Sequence, residues 1–162
     1  MIVVVMGASG AGKTTVGGLL AARLECEFLD ADDFHPPENV AKMAAGIPLD
    51  DDDRAPWLEA LNRLLRSRAA AGASAVLACS ALKRSYRERL AAGLEGFALV
   101  YLHADVELLR ARLRARSHRY MPTSLLGSQL AILEPPAQAI VVDAAEPPER
   151  CVDLIVSALT RP

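Results

Sequence analysis

Cysteine is scarce: Cys26, Cys79 and Cys151 are the only three in 162 residues, and no C-x-x-C spacing occurs. This excludes a disulfide framework and a cysteine-rich zinc site, and it points to a reducing compartment, the cytoplasm. Long apolar runs are also missing. Met1 to Met6 is apolar but passes at once into a glycine-rich loop, which is too short for a signal peptide or a membrane span. Charge of one sign is not in excess, because 18 Lys and Arg against 20 Asp and Glu leave a formal charge of -2. No global positive field exists to gather nucleic acid or an anionic membrane, so any anion must be held locally. Aromatic residues make up only 4%, so the arginines between 110 and 119 lack the interleaved rings of a nucleic-acid surface.

What is present suffices for one self-supporting domain spanning 1–162. Hydrophobic residues make up 52% of the chain, and a chain of this size buries roughly 70% of its unfolded surface without staples. Short β-branched or apolar runs alternate with helical stretches. The pattern predicts strands at Ile2–Met6, Glu27–Asp30, Ala75–Cys79, Phe97–Leu102 and Ala139–Val142, with the first helix over Thr14–Leu24. Alternation of this kind calls for an α/β fold with a parallel sheet and helices on both faces. Two longer excursions, 31–55 and 116–137, are expected above the carboxyl ends of the strands, where ligands bind. The first reads as an acceptor-binding segment and the second as a lid.

Gly7-Ala8-Ser9-Gly10-Ala11-Gly12-Lys13-Thr14 fits G-x-x-x-x-G-K-[ST] in full, directly between a strand and a helix. In such a loop the backbone N–H groups converge on phosphate oxygens. Lys13 reaches the terminal phosphates, and the Thr14 hydroxyl is placed for Mg²⁺. The chain therefore reads as a nucleoside-triphosphate binder. The only asparagines, Asn39 and Asn62, are not followed by lysine, and no D-x-x-G occurs, which excludes a GTPase switch. The third strand ends in Cys79-Ser80 without an aspartate, which argues against a motor ATPase. Kinases of small molecules and nucleotides remain.

Asp30-Ala31-Asp32-Asp33-Phe34-His35-Pro36 follows the second strand. If this stretch is extended, Asp30 and Asp32 face one side, and they can divide two tasks between them: orienting Mg²⁺-bound water and accepting the proton of an attacking hydroxyl. His35 reads either as a substrate donor or as a cap. Asp50 to Asp53 opens a helix running to about Ala71, with Pro56 expected in its first turn and the aspartates as capping chemistry. Arg54 offers a planar fork for a carboxylate, and Trp57 reads as core. Ser80 and Lys83 follow the third strand and are expected at the acceptor. Arg112, Arg116 and Arg119 share one helical face, and Arg116 is the arginine expected on the transferring phosphoryl group.

These segments together resemble the small P-loop gluconokinase family. The resemblance is carried by Gly7 to Thr15, Phe28 to Asp32 with His35-Pro36, Asn39 to Met43, Pro48-Leu49, Asp51 to Leu58, Cys79 to Lys83 with Tyr86-Arg87, and Leu125-Leu126 with Ser128-Gln129 and Leu133-Glu134. It implies a nucleoside-monophosphate-kinase-like fold with strand order 2-3-1-4-5 and a homodimer. It also implies phosphorylation of D-gluconate at its 6-hydroxyl by ATP with Mg²⁺, giving 6-phosphogluconate and ADP. By the same resemblance Asp32 receives the acceptor proton, Asp30 with Thr14 lies nearer Mg²⁺, and Arg54 holds the carboxylate. His35, Ser80 and Lys83 contact the sugar-acid hydroxyls. Gly7 through Thr15, with Arg112 and Arg116, hold the nucleotide, and Lys13, Asp32 and Arg116 act on the transfer. Two departures from the family pattern stand out. Arg119-Tyr120-Met121 occupies the lid frame where the family shows His followed by an aromatic, with His118 one place early, and Ile132 replaces a common Thr.

Overall fold

The computed structural model describes residues 1–116 and 125–161. Five strands, β1 (Ile2–Met6), β2 (Glu27–Asp30), β3 (Ala75–Ala78), β4 (Phe97–His103) and β5 (Ile140–Asp143), form one sheet in the order β2-β3-β1-β4-β5. Every pairing is parallel, with β1 at the centre against β3 and β4. Each strand lies within about a residue of its sequence-based range, because a short, mostly apolar segment bounded by a loop or a helix cap leaves little freedom of assignment.

The helices are α1 (Lys13–Arg23), α2 (Pro37–Ala44), α3 (Asp51–Ala70), α4 (Arg84–Ala91), α5 (Val106–Ala115), α6 (Leu125–Ile132) and α7 (Pro148–Leu159). All five residues of β1 are buried, and its alternation divides the core in two. Val3 and Val5 face α1, α5 and α7 through Val16, Leu20, Leu109, Leu113, Val152 and Ile155. Ile2, Val4 and Met6 face α3 and α4 through Trp57, Leu58, Leu61, Leu65, Tyr86 and Leu90. The result is a three-layer α/β fold whose central strands are apolar on both faces. No helix among the described residues is long and apolar enough to cross a membrane.

Two local expectations are corrected. Residues Ala31–Phe34 form a 3-10 turn and not an extended stretch, because the Asp30 carboxylate captures the Asp32 backbone N–H at 3.0 Å and folds the chain over. Pro56 sits within α3 and not in its first turn. The helix begins earlier than Pro56 suggests, because Asp50 and Asp53 close a reciprocal capping box, with Asp53 N–H donating to Asp50 at 2.7 Å and Asp50 N–H to Asp53 at 3.0 Å. The run of aspartates is thus capping chemistry, as its composition implies.

Candidate active site

The carboxyl ends of β1, β2 and β3 open into one cavity of about 310 Å³. Lys13 and Ser9 from the loop after β1, Asp32 and His35 from the segment after β2, and Ser80 from the loop after β3 line it, with Arg54 and Trp57 on α3. Met43, Pro48 and Leu49 supply apolar wall from the 31–55 segment. Leu125, Ser128, Gln129, Ala131 and Ile132 of α6 supply the opposite wall. Of the 116–137 segment, 117–124 lies outside the described residues, so Arg119, His118 and their lid frame cannot be placed. Beyond α6 the segment is tied down: Glu134 N–H donates to the Leu82 carbonyl at 2.9 Å, and its carboxylate accepts from Arg84 N–H at 3.0 Å.

The loop Gly7 to Thr14 has the geometry its glycines demand. Gly10 (φ 89°) and Gly12 (φ 93°) occupy the left-handed region, and a Cβ on Gly10 would sit 3.0 Å from the Leu109 carbonyl oxygen. Burial pulls the Lys13 ammonium below its ordinary pKa, against the pull of Asp32, Cys79 and Asp30 and with a further push from Arg116. Lys13 donates to the Ala8 carbonyl at 3.2 Å, and the Thr14 hydroxyl donates to Asp30 Oδ2 at 2.8 Å. Those two side chains present hard oxygens side by side, the donor type that Mg²⁺ takes together with phosphates and water. Among the described residues no group of three His, Cys, Asp or Glu could cage a metal by itself, so the donor set suits an ion that arrives with a nucleotide.

Arg112 is beside the loop but not in the cavity lining. Its guanidinium donates to the carbonyls of Gly10, Ala11 and Ala144, at 3.3, 3.4 and 2.6 Å, bracing the loop against the chain after β5. Arg116 closes the C-terminus of α5 and is exposed, yet it lies within electrostatic reach of Lys13.

A second charge neighbourhood surrounds Arg54. Arg54 is only 9% exposed, and its Nη1 donates to the Tyr86 hydroxyl at 3.0 Å, which in turn donates to Asp51. Asp51 also takes the Lys83 ammonium at 2.9 Å. Lys83 is therefore committed to an ion pair beside the Tyr86 ring and does not line the cavity, unlike Ser80. The acidic start of α3 that caps the helix also draws Lys83 away, a competition invisible in the local sequence. Hydrogen bonds from Tyr86 and Lys83 hold the Asp51 carboxyl below its usual pKa, so it stays ionised and anchors the chain to Arg54.

His35 stacks on Trp57, with ring centroids 4.1 Å apart, and its Nδ1 lies 3.3 Å from the Asn39 amide. Burial, with Arg54 adding to it, depresses the imidazole pKa to about 4, so the ring is neutral near pH 7. Trp57 is buried as expected for core, yet it has a second role: its indole N–H donates to the Ala31 carbonyl at 2.8 Å and fixes the turn that carries Asp32. The loop holding Ser80 is also pinned. Ala81 has φ 45°, an uncommon conformation for a non-glycine residue, and the buried Arg87 donates to the carbonyls of Ala81 and Leu82 at 2.9 and 3.0 Å.

Residue-by-residue reasoning assigned no role to Tyr86, Asn39 or Gln129. Gln129 is buried on α6, and its Oε1 accepts from the Ser9 backbone N–H at 2.8 Å. The signal for it was a single amide among apolar neighbours in Leu125-Leu126-Gly127-Ser128-Gln129-Leu130.

Comparison with known proteins agrees with this layout. A family profile described as an AAA domain matches residues 2–136. A gluconokinase of Gluconobacter oxydans is 52% identical over 82% of this chain and 75% of its own length. A probable gluconokinase of Xenopus tropicalis is 43% identical over 98% of this chain and 91% of its own length. The crystal structure of a gluconokinase from Sinorhizobium meliloti superposes with a TM-score of 0.87 at 44% identity, covering 98% of this chain and 91% of that one. With a complete phosphate loop, an acidic turn beside it and a buried arginine in one cavity, and with relatives of this identity and coverage, the chain is a P-loop kinase that uses ATP and belongs to the gluconokinase family.

Proposed function

We propose that this kinase transfers the γ-phosphoryl group of ATP to the 6-hydroxyl of D-gluconate, giving 6-phospho-D-gluconate and ADP. The observation that carries the reading is the pairing of two charge neighbourhoods in one cavity, Lys13 with Asp32 and Arg54 with His35, with Asp30 near enough to act on Lys13. A linear sugar acid has a matching pair of ends, a hydroxyl to be phosphorylated and a carboxylate to be held.

In this reading Arg54 receives the carboxylate through the guanidinium N–H groups not used by Tyr86. Neutral His35 and Ser80 exchange hydrogen bonds with chain hydroxyls. Asp32 accepts the proton of the 6-hydroxyl as its oxygen attacks the γ-phosphorus and the bond from that phosphorus to the β-γ bridging oxygen breaks, leaving ADP. Lys13 and Arg116 stabilise charge on the transferring group, and the loop N–H groups hold the phosphates that remain with ADP. Thr14 and Asp30 would hold Mg²⁺, which when bound neutralises charge on the β- and γ-phosphates. Lys83 supports Arg54 through Asp51 and Tyr86 and does not meet a hydroxyl itself. The proposal extends to a homodimer in the reducing cytoplasm, where the three free thiols stay reduced; light scattering of the purified protein tests the dimer.

The experiment is ADP release with Mg²⁺ and ATP against D-gluconate, shikimate, D-glucose, a nucleoside monophosphate and no acceptor. Release that is strong with D-gluconate alone is the expected result. Equal release with D-glucose would remove the carboxylate from the argument, and release without acceptor would reduce the chain to an ATPase.

A further inference from the structure

Buried polar side chains in this protein have visible occupations. Asn39 donates to the Asp53 carbonyl, Arg54 to Tyr86, and Arg87 to two loop carbonyls. Gln129 differs from these. It is 7% exposed and lines the cavity together with Ser9, Lys13 and Asp32. Its carboxamide orientation is fixed by chemistry: the partner at 2.8 Å is the Ser9 backbone N–H, a donor, so the oxygen must face the loop. The Nε2 amide then points away from the loop with two N–H donors, and among the described residues no acceptor meets it. It is not sealed off as an orphan, since among the described residues no buried side-chain nitrogen or oxygen lacks a partner. Among the described residues its outlet is the cavity that Gln129 lines.

We propose that Gln129 contacts the γ-phosphoryl group of bound ATP, donating from Nε2 to the transferring phosphoryl oxygens while Oε1 holds Ser9 of the phosphate loop. The proposal rests on the reading above only in that the loop holds ATP; the identity of the acceptor plays no part. Ser9 is the third residue of the loop, its N–H is held by the Gln129 side chain, and it shares the cavity with Lys13 and Asp32, where the phosphoryl group must pass. A neutral amide suits this place, because it adds donors to the phosphoryl oxygens without adding another charge beside Lys13 and Asp32. The same helix builds the acceptor wall: Leu125 packs on Met43 and Leu49, and Ser128 and Ile132 face the cavity. Through Gln129, α6 distinguishes a triphosphate from a diphosphate, and through Leu125 it bears on the segment that binds the acceptor.

The test compares the affinities of the Mg²⁺ complexes of ADP and of a β,γ-imido ATP analogue, measured calorimetrically without acceptor, for the native protein, Gln129→Glu and Gln129→Met. Glu keeps an acceptor for the Ser9 N–H but replaces the donors with an anionic oxygen, whereas Met fills the space with neither. Both variants are expected to bind the analogue about 10- to 100-fold more weakly, the worth of a hydrogen bond to a charged group, and to hold ADP within about twofold. Affinity for ADP also reports that the loop is folded. A role confined to tethering Ser9 predicts that Gln129→Glu binds both nucleotides like the native protein, or that both affinities fall together, and either result overturns the proposal. No acceptor is present, so the outcome does not depend on whether D-gluconate is the substrate.

Discussion

Replacing Arg54 with Met isolates the guanidinium from the rest of the site. Met keeps an unbranched stem in a seat that is 9% exposed, so packing on the Tyr86 ring is largely retained. Tyr86 loses the Nη1 donor at 3.0 Å but still donates to Asp51, so no hydroxyl is stranded. What disappears is the pair of N–H groups left to grip a carboxylate. Hydrogen bonds to charged groups are worth about 1.5–3 kcal/mol each. Two that share one carboxylate come to about 2–4 kcal/mol, a rise of roughly 30- to 1,000-fold in the KM for D-gluconate. The carboxylate lies at the opposite end of a six-carbon chain from the reacting hydroxyl, so the contact binds ground and transition states alike and kcat should fall by no more than about threefold. The assay is steady-state ADP release at saturating ATP, with the KM for ATP as a control and D-glucose as an acceptor lacking the carboxylate. Selectivity for D-gluconate over D-glucose should collapse. An acceptor KM within twofold of the native value, or a fall in kcat at constant KM, would refute the placement of the carboxylate on Arg54.

Lys13→Ala should lower kcat by about 100- to 1,000-fold, the cost of losing one preorganised donor at a developing charge, without lowering the thermal midpoint, since burial already disfavours the Lys13 ammonium; near-normal turnover removes Lys13 from the transfer. Asp32→Asn should lower kcat by about 100- to 10,000-fold, the range for a general base, with ADP affinity intact by calorimetry; full activity excludes Asp32 as the base. His35 titrates at different pH in the two states. Its ordinary pKa of 6.5 falls to about 4 in the folded protein, so the unfolded chain binds the proton first as the solution is acidified. The contribution of His35 to stability is whole above about pH 6.5 and is lost progressively toward about pH 4. Between pH 7.5 and pH 5 the thermal midpoint of the native protein should therefore fall further than that of His35→Gln, and parallel losses would contradict a neutral buried ring. Over the same range His35 should leave no inflection in kcat/KM.

Local chemistry made most of the fold legible. Strands β1, β3, β4 and β5 were readable as short, largely apolar runs closed by a loop or cap and β2 as a Phe28-Leu29 pair between turn signals, and the phosphate loop because its glycines must stand where backbone turns back on itself, as Gly10 and Gly12 do. The N-terminus of α3 was readable for the same reason: Asp50 and Asp53 are three residues apart and need only each other. Arg54, His35 and Ser80 also reached the cavity as their motifs implied.

The tertiary structure decided which partner each polar side chain meets. Lys83 stands three residues after Ser80, and either could have faced the acceptor; a carboxylate on α3, brought alongside by packing against α4, takes Lys83 and leaves Ser80 in the cavity. Asp30 and Asp32 were legible as a pair, but the carboxylate of the first bends the backbone of the second into a 3-10 turn, which Trp57 then fixes from α3. Gln129 meets Ser9 across 120 residues of sequence. Local sequence determines backbone conformation because its energies are settled within a few residues. A buried hydrogen bond between distant residues exists only after the core has excluded water and placed both ends, so the identity of the partner belongs to the packed structure.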